Sequence, residues 1–296
     1  MPSVPSFGTG LPAVQQIPAR VRPWEHDVDG AKLLDAARAA EAAGFAWVAC
    51  SDHPAVPVSR AQAMGPTWFD AGSTLAFVAG VTTRIRLMPH VLVLPYRHPL
   101  VVAKQYGTLD VLSGGRVIMG VGSGHVKAEF KTLGADYGAR GKVTDEYLRA
   151  LAAVWEHDVG HFDGEFVSIR DMMVWPRPVQ KPRPPFWVGG NSNAAAKRAA
   201  RFGDGWIPWE LTPEDFAAKA AYTRHLRHDA GRSATFALVA PLTVAPDAAA
   251  DPVLRDVTRW REAGATAFHV GLAADSWPQY LDRLAWFGRA VIARIE

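Results

Sequence analysis

Between Ile85 and Gly124 the chain spells strand, helix and strand in close succession. Ile85–Leu94 is apolar enough for a buried strand. Arg97-His-Pro99 then opens a helix and Ser113-Gly-Gly115 closes it, with proline in the first turn and glycine past the last. Val117–Gly124 is the next strand, and it runs into a Gly-rich turn. A unit this compact pairs its two strands in parallel. Parallel sheets are buried on both faces, so the rest of the chain must supply more units of the same kind.

Three further segments do so. Helix, Ala-Gly44 and strand follow one another in Ala36–Cys50; helix, Phe-Gly203 and strand in Arg198–Trp209; helix, Ala-Gly264 and strand in Arg259–Gly271. Each helix ends at a glycine able to take the left-handed cap. Apolar stripes with helical spacing run through Leu33/Ala37/Ala40, Val102/Tyr106/Leu109, Tyr147/Leu151/Val154 and Leu281/Leu284/Phe287/Val291. Asp29, Ser192, Thr212 and Asp251 are expected N-caps. Strands are expected near residues 3–8, 46–51, 85–94, 117–122, 186–190, 205–209, 236–245 and 267–272, alternating with helices. That is the grammar of a TIM (β/α)8 barrel. An open doubly wound sheet is the competing α/β architecture, but it needs an edge strand, and none of these looks weak or polar. The expectation is one barrel domain over residues 1–296.

The alternation breaks once, after the fourth strand. Residues 125–185 exceed one βα unit and hold a helix near 126–133, a second near 142–157, and the hairpin signal Phe162-Asp-Gly-Glu-Phe166. Prolines at 176, 178, 182, 184 and 185 exclude regular helix beyond it. An insertion after a strand's C-terminal end is expected over the barrel mouth, as a lid or a subunit contact.

Composition excludes several functions. Lys+Arg 32 against Asp+Glu 29 leaves a net charge of +3 with no basic run, so nucleic acid is not an expected partner. No apolar run approaches a membrane span, and the N-terminus lacks the basic and apolar regions of a signal peptide. A soluble cytoplasmic protein acting on a small-molecule substrate is expected. Cys50 is the single cysteine, which excludes an intrachain disulfide and a thiolate metal site. The histidines make no His-x-x-x-His pair backed by a carboxylate, so no metal is expected. Ser123 lies between glycines at ±1 rather than ±2, which is not a nucleophile elbow.

Four places can carry chemistry. Ser51-Asp52-His53 follows a strand directly. His53 can serve as an acid/base or bond a bound ring, and Asp52 can orient it or touch a cofactor; a turn Asp with a surface His is the plain alternative. Pro89 inside a strand implies a bulge, and His90 beside it is either a site residue or a satisfied core histidine. Gly120-Val-Gly-Ser-Gly-His125 lets a flat ligand approach the main chain. Gly189-Gly-Asn-Ser192 opens a helix and suits a phosphate. Trp47, Trp206 and Trp209 are candidates for an aromatic mouth.

The chain resembles the bacterial luciferase-like monooxygenase superfamily and, within it, the branch that uses the deazaflavin coenzyme F420. The resemblance rests on Glu41-Ala-Ala-Gly-Phe45 with Ser51-Asp-His53, Thr83-Arg-Ile-Arg-Leu87, Tyr96-Arg-His-Pro99 and Thr108-Leu-Asp-Val-Leu-Ser-Gly-Gly-Arg-Val117. It rests also on Gly120–Gly124, Arg140 with Asp145-Glu-Tyr-Leu148, Phe162-Asp-Gly164, Gly189–Ser192 and Gly203-Asp-Gly-Trp206. It implies a flavin or deazaflavin in the mouth, often in a dimer, so a homodimer is expected. It puts Asp52 on the coenzyme and His53 beside the reactive ring, both as catalytic residues. It implies a cis peptide at His90–Val91, forming a bulge behind the ring. Ser123 and Gly124 would contact ring and ribityl chain, with His125 beside them. Gly189, Gly190, Asn191 and Ser192 would hold the tail or its phosphate, and Arg140 matches a phosphate position of FMN members. Two departures stand out: His125 where members often carry Glu, and Glu210 where some sugar-phosphate dehydrogenases carry Lys. The implied activity is hydride transfer between F420 and an organic substrate. An FMN-dependent monooxygenase is the alternative, and a non-catalytic flavin- or deazaflavin-binding protein the second.

Overall fold

The computed structural model describes residues 4–233 and 235–295. The strands are β1 (Ser6–Gly10), β2 (Trp47–Cys50), β3 (Arg86–Pro89), β4 (Leu92–Val93), β5 (Met119–Gly122), β6 (Gly160–Asp163), β7 (Ser168–Met172), β8 (Phe186–Gly189), β9 (Gly205–Ile207), β10 (Ala237–Val244) and β11 (Ala267–Leu272). The helices are α1 (Gly30–Ala42), α2 (Ala61–Met64), α3 (Ala71–Ala79), α4 (Pro99–Ser113), α5 (Lys127–Leu133), α6 (Arg140–Glu156), α7 (Asn193–Phe202), α8 (Pro213–Asp229), α9 (Ala250–Glu262), α10 (Trp277–Phe287) and α11 (Ala293–Ile295).

Nine strands form one sheet in the order β3-β2-β1-β11-β10-β9-β8-β5-β4, every pairing parallel. β3 and β4 are two halves of one stave, parted at His90–Val91, whose peptide bond is cis. The lower half reaches β5 through a Leu87–Val117 bridge, with Ile118 N–H donating to Leu87 O at 3.0 Å. The upper half pairs Leu92 with Val121. Counting β3 and β4 once, the ring closes on eight staves. That is the TIM barrel the alternation predicts, and among the described residues its ring of staves leaves no open edge. The first strand, expected at 3–8, runs over Ser6–Gly10, and residue 3 lies outside the described residues.

Local signals place the helices. Asp29, Ser192 and Thr212 accept from the N–H groups of Lys32, Ala195 and Asp215 at 2.9, 3.1 and 3.2 Å, as N-caps do. Asp251 does not cap: α9 starts two residues earlier than that cap implies, with Ala249 at the cap position. An acid inside the first turn still favours the positive helix end, which is why that sequence looks like a cap.

The apolar interior of the barrel comprises Trp47, Ala49, Met88, Ile118, Trp187, Ile207, Val239 and Ala267. Trp47 and Trp187 meet edge-on at 5.1 Å and fill it like a core rather than a pore. A larger apolar layer packs the outside of the staves against the helices. Both Trp47 and Trp206, expected at the mouth, belong to these layers instead. Trp206 points outward onto Phe216, 5.3 Å away.

The start of the insertion reaches the mouth. α5 lies there; α6 is an ordinary barrel helix packed between α4 and α7. The β6–β7 hairpin forms at Phe162-Asp-Gly, as predicted, but lies along α6. Its turn is held by Glu146, which accepts from the N–H groups of Glu165, Phe166 and Val167 at 2.7–2.8 Å. The proline-rich run then returns to the foot of β8. It is held there by fully buried Asp110, which accepts from Val179 N–H at 2.9 Å, Gln180 N–H at 3.2 Å and the Gln180 amide at 2.6 Å. No described helix is long and apolar enough to cross a membrane.

Asp110→Ala leaves these donors inside the protein without an acceptor. It is expected to lower the unfolding free energy by about 3 kcal/mol in a urea titration, whereas Lys197→Ala on the exposed face of α7 changes it by less than about 0.5 kcal/mol.

Candidate active site at the barrel mouth

His53 leaves the end of β2 and meets a carboxylate that the sequence reading did not single out. Its Nδ1 lies 3.0 Å from both carboxylate oxygens of Glu129 on α5. Tyr96 donates its hydroxyl to the same carboxylate at 2.9 Å. Burial and the neighbouring Glu129 push the Tyr96 pKa upward, so the hydroxyl keeps its proton. Glu129 is buried, while the imidazole is partly open. With Nδ1 donating to Glu129, Nε2 is the nitrogen left to accept or return a proton. Trp68 packs edge-on against the imidazole, ring centres 4.4 Å apart, and His125 stands 5.8 Å away. Desolvation, then the nearby His53, lower the His125 pKa.

Asp52 does not orient His53. Its carboxylate is buried and takes both Arg97 guanidinium nitrogens at 2.6 and 2.7 Å, and the Val93 N–H at 3.0 Å. It ties the loop after β2 to the segment after β4. Cys50, just before it, is buried, and burial pushes its thiol up to about 12. It is a small core residue.

The bulge expected at Pro89–Val91 is present between β3 and β4. It explains the glycines of the fourth and fifth staves. A Cβ on Gly120 would lie 2.1 Å from the Pro89 carbonyl oxygen. One on Gly122 would lie 2.7 Å, and one on Gly189 2.9 Å, from the methyls of Val91. The glycines make room for the bulge itself, and the bulge then forms part of the mouth's floor. His90 turns inward against His269 of β11, ring centres 4.2 Å apart. Burial holds the His90 pKa down to about 4 and that of His269 well below the ordinary value.

The remaining expected residues divide. Ser123 and Gly124 follow β5 at the rim, ahead of His125. Asn191 is engaged: its amide donates to the Trp209 carbonyl at 2.6 Å and its carbonyl accepts from Trp209 N–H at 3.1 Å. This holds half-exposed Trp209 at the mouth. Gly190 accepts from the Trp206 indole at 2.8 Å, and the Ser192 hydroxyl caps α7. What this turn offers an anion is main chain, the first-turn N–H groups of α7. Arg140 stacks over Tyr137 at 4.0 Å and donates to its carbonyl at 2.8 Å. Glu210 pairs with Arg20. Among the described residues no cluster of His, Cys, Asp and Glu is placed to hold a metal.

Comparison with known proteins agrees with the fold. The luciferase-like monooxygenase family profile matches residues 13–290. The chain belongs to this family. An uncharacterized protein of Mycobacterium tuberculosis is 36% identical over 270 residues, spanning 84% of this chain and 91% of that one. The FMNH(2)-dependent dimethylsulfone monooxygenase of Pseudomonas putida is 29% identical over 247 residues, 75% of this chain and 61% of that one. The coenzyme F420-dependent tetrahydromethanopterin reductase of Methanopyrus kandleri shares the fold, with a TM-score of 0.80 at 18% identity over 99% of this chain and 100% of that one.

In this luciferase-like barrel, Glu129 and Trp68 are the mouth residues that sequence reasoning missed. For Glu129 a signal existed: it is the carboxylate in the first turn of α5, four residues beyond His125. The neutral His90 and His269 carry a pH dependence. An unfolded histidine titrates near 6.5, so as pH falls below that value the unfolded chain binds protons that the native pair refuses. Stability is therefore full above about pH 6.5 and falls toward pH 4, the value for His90. Urea midpoints measured across this window should decline less steeply in His269→Leu than in the parent.

Proposed function

We propose that the protein is an oxidoreductase that passes a hydride between coenzyme F420 and an organic substrate. The observation that carries this reading is the imidazole of His53, backed by Glu129 and open on Nε2, beside the glycine-cleared floor at His90–Val91. The mouth's fit to a planar heterocycle rests on that floor and on the uncommitted N–H groups at the start of α7, which suit a phosphate. The coenzyme, when bound, supplies hydride donor and acceptor chemistry. His53 Nε2 takes the proton of a substrate hydroxyl as its carbon loses a hydride, or returns it in the reverse direction. Glu129 holds the ring in the tautomer this requires and balances the imidazolium. Asp52 acts through position rather than contact, since Arg97 and Val93 occupy its carboxylate. Trp68 and Trp209 close the mouth against water.

An FMN-dependent monooxygenase is the second reading, favoured by the similarity to the dimethylsulfone enzyme. We also place a second copy of the chain against α3 and α4. Together they expose Phe77, Val101 and Leu112, apolar groups that a homodimer would cover.

Titration of the purified protein with each cofactor tests the reading. F420 should bind at least about tenfold tighter than FMN, a difference of about 1.4 kcal/mol; the opposite order favours the monooxygenase. His53→Ala should lower kcat by about 10²- to 10⁴-fold and leave cofactor affinity within about threefold. Glu129→Gln should lower kcat less and shift the pH–rate profile. Full activity in His53→Ala would mean that the protein uses another group, or binds its cofactor without catalysis.

A further inference from the structure

His90 and His269 have no task in the chemistry assigned to His53. They project into the barrel above the apolar interior: the preceding inward positions on their staves are Met88 and Ala267. Beside His269, Gly10 carries no side chain, and a Cβ there would lie 3.9 Å from Nε2. The two rings stack at a tilt of 58° and fix each other's orientation. Among the described residues His269 Nδ1, itself enclosed, has no hydrogen-bond partner, while the residue as a whole is only partly buried. An enclosed ring nitrogen without a partner is costly, and a leucine or phenylalanine would pack this place without that cost. The histidine makes sense where a bound molecule meets the open part of the ring and turns it to complete that hydrogen bond.

We propose that His269, braced by His90, is a hydrogen-bonding subsite at the floor of the mouth for an uncharged carbonyl, imide or hydroxyl group. The surroundings select against a charge. Burial keeps both rings neutral, and their neighbours on the inward face are apolar side chains and glycines. A carboxylate or phosphate would have no cation to meet there, whereas a neutral imidazole serves as donor or acceptor according to its tautomer. The group comes from either of two sources, the edge of the bound heterocycle or the substrate. The inference rests on the proposed function only in that some ligand enters the mouth.

His269→Leu and His269→Asn separate the possibilities, the asparagine keeping a neutral polar group. The probes are F420, FMN, and acetone or 2-propanol added to protein loaded with whichever cofactor binds. If the group belongs to the cofactor, His269→Leu weakens its binding by roughly tenfold and His269→Asn recovers most of the loss. If it belongs to the substrate, cofactor affinity stays level. The ¹⁵N resonance of His269 Nδ1 then moves on adding the ketone or alcohol, and the apparent affinity for that probe falls by roughly tenfold in His269→Leu only. A folded His269→Leu protein that binds cofactor and probe like the parent, with an unmoved Nδ1 resonance, overturns the proposal. Should the parent bind neither cofactor, the proposed function fails on its own. The subsite is then judged by the Nδ1 resonance with acetone or 2-propanol alone, where no movement overturns it.

Discussion

The ion pair between Asp52 and Arg97 fixes the mouth of this barrel. Each partner is next in sequence to a residue that reaches Glu129: His53 follows Asp52, and Tyr96 precedes Arg97. Closing the pair brings two loops, from different staves, to one carboxylate on a third element. The third bond of Asp52, from Val93 N–H, joins the same point to β4. Buried pairs of this kind add little net stability once desolvation is counted, but they penalise any arrangement that separates the charges. Their effect here is geometric: the imidazole is held where a reacting atom would meet it.

The same logic recurs away from the mouth. Glu41 accepts from Thr83, Arg84 and Ile85 N–H groups at 2.6–2.9 Å, below β3. Asp204 accepts from Phe186 N–H at 2.9 Å, at the foot of β8. Arg116 works in the opposite sense, donating to the carbonyls of Ala79, Thr82, Ile85 and Ser113. A barrel must turn sharply before and after every stave, and each turn leaves main-chain groups without a ladder partner. Glu41, Asp110, Glu146 and Asp204 satisfy them. All four lie in the motifs that carry the family resemblance. Those motifs therefore encode mainly the scaffold, and they leave the cofactor open.

That division explains what the sequence disclosed. Helix–glycine–strand repeats, N-caps at Asp29, Ser192 and Thr212, and the Asp-Gly hairpin are local codes, read within a few residues. The bulge was legible because a proline inside a stave has no other place. The role of the glycines was not, because Gly122 and Gly189 come together only when Val91 crosses between them. His53 was singled out by its place after a strand. Its partner was not, since Glu129 lies 76 positions away and meets it only through the folded barrel. Asp52 drew attention as an adjacent carboxylate, yet adjacent residues at a strand end point to opposite sides. Trp47 failed for a similar reason: a tryptophan near a strand end was read as mouth, while the inward alternation of β2 carries it into the packed interior.

Along the barrel axis the histidines separate into two levels with different chemistry. At the rim, His53 has a carboxylate with which to share a proton and an open nitrogen through which to pass it. At the floor, His90 and His269 lie in apolar surroundings that keep them neutral, so they can orient a group but cannot readily take up its charge. A molecule lying between the levels is therefore treated unequally on its two sides. Charge that develops during reaction is stabilised toward the rim, beside Glu129, and discouraged toward the floor. In the proposed hydride step, the substrate atom that gains or loses charge would belong on the rim side, within reach of His53. The glycine-lined bulge fits this order, since it shapes a floor without adding a charged group to it.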